Sequence, residues 1–481
     1  MKLFRRIIFS LFVLAYLMLC PLTILYAFGY SFRPGSERGL VKTGLIYLST
    51  NPSGASVYLG KRRFTHRTPA MLRGLLPGQY PVRVSLKGYR PWEQWLPVEP
   101  EKATALEHIL LLPLQLHPDV KLDGPVDGLV PVPGSRFFLL ARGPSLGEWH
   151  VYDWKEGKSW PLLAGHAGWA SAKVLAQFTV KESPWILFRV EQPDGEHWLW
   201  IEMRRGETDP EDLTRLMVEP PETVEWEPHS HRHLFAIQHG WVDRLETADK
   251  ATSPKWLEHV RGFGLSGRAV YVLKDDGLLV KMDRDGKDAE PVLELPMTRA
   301  PVFGRPSFFR IHAVAPGVVL LLGARGELLM NRAPYLLADN GVIGCEGPPR
   351  RQRALVWTHE QIGVIHLPEE LFEFEREGNA PHLRWVYQQG RQIEQACWLD
   401  EGFHVLVRDA GQLSVLELDT YGASRLEPLV ETADAPFVYA EDAGAVYYLE
   451  RSTGRLMMLQ ILPKHELLPL PVLDESGQHA R

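Results

Sequence analysis

The feature that most constrains this chain is a phrase that recurs along it: an apolar strand, a short turn, a second apolar strand. Eight such pairs begin near Arg136, Trp185, His233, Ala269, Val318, Ala354, His404 and Ala445, at intervals of 36 to 50 residues, about 44 on average. "WILFRVEQPDGEHWLWIEM" and "HVLVRDAGQLSVLEL" are examples, and Asp194-Gly195, Asp276-Gly277, Arg325-Gly326 and Thr453-Gly454 supply hairpin turn chemistry. Before several pairs lies a further strand, as in "VEWEPHSHRHLFAI", "CWLDEGFHVLV" and "VYAEDAGAVYYL". A unit of three or four strands cannot cover both faces of its own sheet, so neighbouring units must stack and cover one another. Repeats of this length with about four strands each predict propeller blades. Eight blades is the preferred reading and seven the alternative. The 15 Trp residues suit such β-rich cores.

The N-terminus carries a different signal. Lys2, Arg5 and Arg6 precede an uncharged stretch over residues 7–30. Roughly 20 apolar residues cross a bilayer, whereas the apolar region of a cleaved signal peptide spans about 7 to 15. Leu19 before Cys20 is bulky where a lipoprotein signal places a small residue. We therefore expect an uncleaved single-pass anchor. The short basic N-terminus favours a cytoplasmic start and an exported bulk, although Arg33, Arg38 and Lys42 partly offset it. The formal charge of −6 over 481 residues indicates neither a nucleic-acid binder nor an acid-rich solvating chain.

Residues 44–112 alternate apolar and polar positions at Ile46, Leu48, Val57, Leu59, Val82, Val84 and Leu86. Turn residues fall at Pro52-Ser53-Gly54 and Pro77-Gly78, so residues 49–60 are expected to form a hairpin within a small β-sandwich. Pro52-Ser53-Gly54-Ala55, Val57-Tyr58-Leu59-Gly60, Thr68-Pro69, Leu75 to Gly78, Lys87-Gly88-Tyr89 and Trp92 together resemble a PEGA domain, with Ser53 where the name-giving Glu would stand. The resemblance implies an envelope β-sandwich without catalytic residues. The strand-and-turn phrases downstream are similar, in degenerate form, to those of TolB-like and WD40-like propellers.

Candidates for chemistry are few. His229, His231 and His233 could converge on a metal if they alternated along one strand, but their place across a turn points to solvated histidines. Asp283 to Asp288, "DRDGKD", lacks the spacing of a helix-loop-helix calcium site and reads as a hairpin turn. Cys345 and Cys397 precede their strand pairs at similar distances; free buried thiols are the expectation and a disulfide the alternative. Trp149, Trp198 and Trp357 could stack on sugars, but strand-core packing is the expectation. "GETDPEDLTRL" reads as a short helix with Asp209 as N-cap and Pro210 at N1, and "PEELFEFEREGNAPH" as a charged loop with a solvated acidic face. No nucleophile elbow, phosphate-binding loop, zinc-protease or dinucleotide motif appears.

These readings give an all-β chain. Residues 1–43 hold the basic N-terminus, the anchor (7–30) and a linker; 44–115 the PEGA-like sandwich; 116–470 the propeller; and 471–481 a tail. The expected function is a non-enzymatic, membrane-anchored scaffold of the bacterial cell envelope, with its bulk outside the cytoplasmic membrane. Its partner would be an envelope protein or a cell-wall or surface glycan, with no catalytic residues, cofactor, metal or nucleic acid. The alternatives are a glycan hydrolase or lyase working in the propeller channel, and a TolB-like assembly or sensor component.

Overall fold

The computed structural model describes residues 2–27, 30–32, 40–165, 167–206, 209–227, 232–238, 240–267, 269–294, 308–315, 317–347, 353–367, 381–400, 402–418, 421–422 and 424–462. It divides into two compact units, the first running to Leu116 and including Tyr421 and Gly422, the second made of the remainder from His117. Lys2–Ala27 is a helix of 26 residues with Pro21 inside it. Phe9, Phe12 and Met18 on it are exposed. The helix stops short of the expected 7–30 run, because Tyr30–Phe32 pairs as a strand with Leu40–Lys42. Among the described residues no helix is long and apolar enough to cross a membrane.

The rest of the first unit is a two-sheet sandwich. Gly44–Asn51 lies between Ala70–Leu75, antiparallel to it, and Ala103–Leu110, parallel to it. The facing sheet runs Arg62–Arg67, Ser56–Leu59, Gly78–Ser85, Trp92–Val98. Ile46, Leu48, Val57, Val82, Val84, Trp92 and Leu96 fill the space between, as the alternation requires. The expected hairpin over residues 49–60 is not formed. Gly44–Asn51 and Ser56–Leu59 belong to different sheets, so the Pro52-Ser53-Gly54 turn crosses between layers. Gly54 sits at φ +84, a region that costs a glycine little. Its N–H donates to the Thr68 carbonyl at 2.8 Å, and the Ala55 N–H donates to Thr68 Oγ1 at 2.9 Å. These two bonds tie the turn to Thr68, just ahead of the strand that leads back to the first sheet.

The second unit consists of antiparallel meanders. Residues 128–161 set the pattern with Gly128–Pro131, Phe137–Ala141, Trp149–Asp153 and Lys158–Pro161, each paired with the next. The same order recurs at 173–212, 309–338, 344–387 and 393–431. Between 223 and 294 two meanders share a strand. Ala251–Ser266, 16 residues long, pairs first with Gly240–Glu246 as a fourth strand, then with Ala269–Lys274 as a first strand. Lys255 and His259, at φ +49 and +60, bend it between those roles. The last meander, Val438–Ala440, Ala445–Leu449 and Leu456–Gln460, takes its fourth strand, Asp119–Leu122, from the start of the unit. The expected helix at 206–216 is also corrected. Among its described residues, Glu211–Asp212 pairs with Leu199 and Trp200, and Thr214–Leu216 is a single 3₁₀ turn. The edge of the preceding hairpin captures the segment before a helix can propagate. The charged loop expected over "PEELFEFEREGNAPH" lies outside the described residues save its last two.

Among the described residues, apolar clusters join seven of the eight neighbouring pairs of meanders. Trp149 and Leu139 meet Phe188 and Leu199; Trp198 and Trp200 meet Trp226; Phe235 meets Phe263; Leu273 meets Phe309; Leu320 meets Val356; Leu355 meets Val405; and Phe138 and Tyr152 meet Tyr447. Between 393–431 and 438–460 the side-chain amide of Gln395 exchanges hydrogen bonds with the Phe437 backbone, and the Tyr439 hydroxyl donates to the Leu399 carbonyl at 2.6 Å. The first strands lie innermost: beyond these clusters they approach one another directly, 223–226 beside 251–266 and 344–346 beside 393–398. Gly262 and Phe263 even pair in parallel with Phe309 and Arg310. A Cβ at Gly264 would overlap the Ile311 carbonyl, and one at Gly262 would stand 3.0 Å from the Phe309 carbonyl oxygen. We expect Gly264→Ala to destabilise the unit by about 3 kcal/mol, since the obstacle is backbone and cannot move aside as a rotamer would. A thermal melt unchanged from the parent chain would contradict this close approach.

Candidate functional site

The inner strands alternate buried apolar residues with polar ones, and the polar positions form the candidate site. Glu225 stands between buried Val224 and Trp226; Arg310 and His312 flank buried Ile311; Cys397 lies between Ala396 and Trp398; and Tyr439 between Val438 and Ala440. Cys345 and Glu346 occupy the innermost strand of the 344–387 meander. Glu225, Cys345, Glu346 and Cys397 are each only partly exposed.

Ionisable groups on these strands act on one another across meanders. Burial pushes the Glu225 carboxyl up to about 7, with Arg310 pulling it back. Burial likewise pushes Glu346 up to about 7, against a 3.1 Å hydrogen bond from the Trp398 N–H and the charge of Lys181. Lys181 follows the inner strand of the 173–212 meander, and Glu441, which also acts on Glu346, follows that of the last one. Groups from meanders far apart in the chain thus feel one another. His312 is held down to about 4 by burial and by Arg310, so its imidazole is neutral near pH 7. Burial pushes the Cys345 thiol up to about 12 and the Cys397 thiol well above its usual range, with Glu346 adding to both. Neither is a thiolate nucleophile at neutral pH.

The sequence candidates fall elsewhere. His233 begins the strand His233–Gln238, with its pKa lowered chiefly by burial; His229 and His231 lie outside the described residues. Among the described residues no group of three His, Cys, Asp or Glu could hold a metal ion. Asp283 to Asp288 forms the turn between Leu278–Met282 and Glu290–Glu294, with Asp283 Oδ1 accepting the N–H groups of Asp285 and Lys287 at 3.0 and 2.6 Å. Cys345 and Cys397 are free thiols rather than a disulfide. Trp149 and Trp198 are core residues, and Trp357 packs against the core. Sequence reasoning passed over Glu225, Arg310, His312 and Glu346. The available signal was an ionisable residue breaking the apolar alternation of a first strand, as in "VEW" and "FRIHAV".

Residues 43–110 match the family model described as PEGA domain. This segment is a PEGA domain. The match covers the two-sheet sandwich, and the assignment made from its turns therefore holds. No curated protein matches the chain by sequence. Solved structures similar to it include the β-propeller domain of Cps50 (Swd1) from Myceliophteria thermophila, at 11% identity, covering 72% of this chain and 100% of that one, TM-score 0.42. BamB from Moraxella catarrhalis is similar at 12% identity over 72% and 100%, TM-score 0.42. YCF48 bound to D1 peptide is similar at 8% identity over 74% and 97%, TM-score 0.37. At that distance the propeller that follows the PEGA domain is identified by its own strand pairing.

The interior makes a pH prediction. Between pH 4.5 and 7 the folded chain keeps on Glu225 a proton that the unfolded chain has lost. The stabilising share of this carboxyl is therefore full below about 4.5 and is lost as pH rises through about 7. Glu346 acts in the same sense, and His312 in the opposite one between about 4 and 6.5. Glu225→Gln should melt with the parent chain at pH 4 and above it at pH 8. A difference in melting temperature that does not vary with pH would contradict the buried, neutral carboxyl.

Proposed function

We propose that this protein is a non-enzymatic binding platform of the bacterial cell envelope. In this reading it is anchored once in the cytoplasmic membrane by its N-terminal helix, with the N-terminus inside. The PEGA domain and an eight-bladed propeller stand on the far side, and the partner is an envelope protein or a cell-wall or surface glycan. The observation that carries the reading is the pairing in one chain of a PEGA domain with a propeller. The uncharged run of residues 7–30 behind Lys2, Arg5 and Arg6 supports the anchor and its orientation. The eight-blade count is supported by the unbroken succession of shared clusters and inner-strand bonds around the meanders.

A hydrolytic reading requires two carboxyls about 5 to 10 Å apart acting as a pair. For both Glu225 and Glu346 the largest influence is burial rather than a partner carboxyl. Binding is the better match to an interior whose ionisable groups are held toward neutrality. Leu175 and Ile343, partly exposed apolar residues on or beside inner strands, are positions where a protein partner would seat.

Two measurements test the proposal. In fractionated cells the intact chain should stay in the carbonate-washed membrane pellet, and protease added to spheroplasts should digest it from outside. Release by carbonate, or full protection, would contradict the anchor or its orientation. A photo-cross-linking residue replacing Leu175 or Ile343 should form one discrete adduct with an envelope component. No adduct at either site would contradict propeller-mediated binding.

A further inference from the structure

The PEGA domain differs in charge from the rest of the chain. Residues 43–110 contain nine Lys and Arg against four Glu and no Asp, a formal +5 in a chain of −6, which leaves −11 for everything else. Three of these cations, Arg63, Arg67 and Arg83, stand on the outward face of the four-stranded sheet. Arg62–Arg67 is its edge strand, exposed at every position except Phe64. Across this sheet Arg63 lies opposite Tyr58, Tyr58 opposite Arg83, and Arg83 opposite Glu93, so the four form one row. Arg67 sits opposite Ser56 on the same side. One step along, Trp95 lies opposite Pro81 and is 62% exposed, in a fold whose other large aromatics are mostly core. Trp95 is thus the diagonal neighbour of Arg83, within reach of the same ligand at roughly 7–8 Å.

Sandwich stability does not account for this face. Its inward positions are Val57, Val82, Val84 and Leu96, and Trp95 contributes nothing to that core. Arg83 has one exposed partner, Glu93, at 3.1 Å, and exposed pairs of that kind contribute little. What the face offers is a flat, pleated surface with cations in a row, an exposed indole beside them and a half-buried phenol between. Guanidinium groups pair with carboxylates in bidentate fashion, and an indole face covers the apolar C–H side of a pyranose ring.

We propose that the outward sheet face of the PEGA domain, built on Arg63, Arg67, Arg83, Tyr58 and Trp95, binds an anionic polysaccharide. Carboxylates of the polymer are taken by the arginines, competing with Glu93, and a sugar ring stacks on Trp95. This deepens the binding-platform reading and rests on it, but at a site separate from the propeller interior.

The test uses the full chain in detergent micelles, with fluorescent polygalacturonate followed by anisotropy, uncharged dextran as control and water-soluble short-chain phosphatidylglycerol as competitor. Binding should be seen for polygalacturonate and not for dextran, and should weaken as salt rises. Trp95→Ala should weaken it at least fivefold with the salt dependence retained. Arg63→Gln with Arg67→Gln should weaken it and flatten the salt dependence. All three substituted residues are exposed, so the melts should overlay the parent chain's. An absence of binding, equal binding of dextran, an unaffected Trp95→Ala variant, or displacement by phosphatidylglycerol at charge-equivalent concentration would each overturn the glycan assignment. The adducts at Leu175 and Ile343 should persist in these variants, so failure at this face is distinguishable from failure of the platform reading itself.

Discussion

Four residues, Asp119–Leu122, complete the sheet whose other three strands come from residues 438–460, and the second unit depends on that pairing. Asp119 lies opposite Met458, 339 positions further along the chain. Without it the last meander would expose an open edge beside Leu456 and Met457, and unpaired edges invite association with other chains. Loop-closure entropy grows only slowly with length, so one late, long-range pairing is a tolerable cost once local hairpins have formed. Each hairpin forms from near neighbours in sequence, and the closing strand then holds them in one arrangement.

That closure decides what the interior is made of. Inner strands are brought side by side because the broad faces of the meanders are used up against one another, as at Trp200 with Trp226 and Phe138 with Tyr447. Where two inner strands approach until they hydrogen-bond, as at residues 262–263 and 309–310, glycine is the residue that lets them. The polar positions left over from the alternation are carried inward together. Glu346 therefore senses Lys181 and Glu441 from distant parts of the chain. Its carboxyl and that of Glu225 are driven up toward neutrality by enclosure, more than by any one partner.

Much of this was legible in the residues. Period-two alternation and Gly-bearing turns at intervals near 44 indicated a repeating all-β unit, because hairpin formation is local and its chemistry is local too. The PEGA domain was legible for the same reason, through several short turns at fixed spacing. What failed were inferences about which strand pairs with which. Residues 49–60 carry every sign of a hairpin, yet their two strands enter different sheets, with Thr68 bonded to the turn between them. Asp209 and Pro210 announce a helix start, but a sheet edge at Leu199 and Trp200 claims the segment. The interior site was missed for a related reason. Glu225, Arg310, His312 and Glu346 share no motif and no neighbourhood in sequence; ring geometry alone gathers them, and a linear reading carries no term for it.

The closure of the second unit rests on the register of Asp119–Leu122 against Leu456–Gln460, and a cross-link tests it directly. In a chain with Cys20, Cys345 and Cys397 replaced by Ala, Asp119→Cys with Met458→Cys places two thiols on directly opposed residues of an antiparallel pair, within the range a disulfide spans. Mild oxidation should join them completely within the monomer and raise the melting temperature. Asp119→Cys with Leu462→Cys, displaced along the partner strand, should stay reduced. If the displaced pair links while 119–458 does not, or if the bond forms between molecules, the chain is not closed as described.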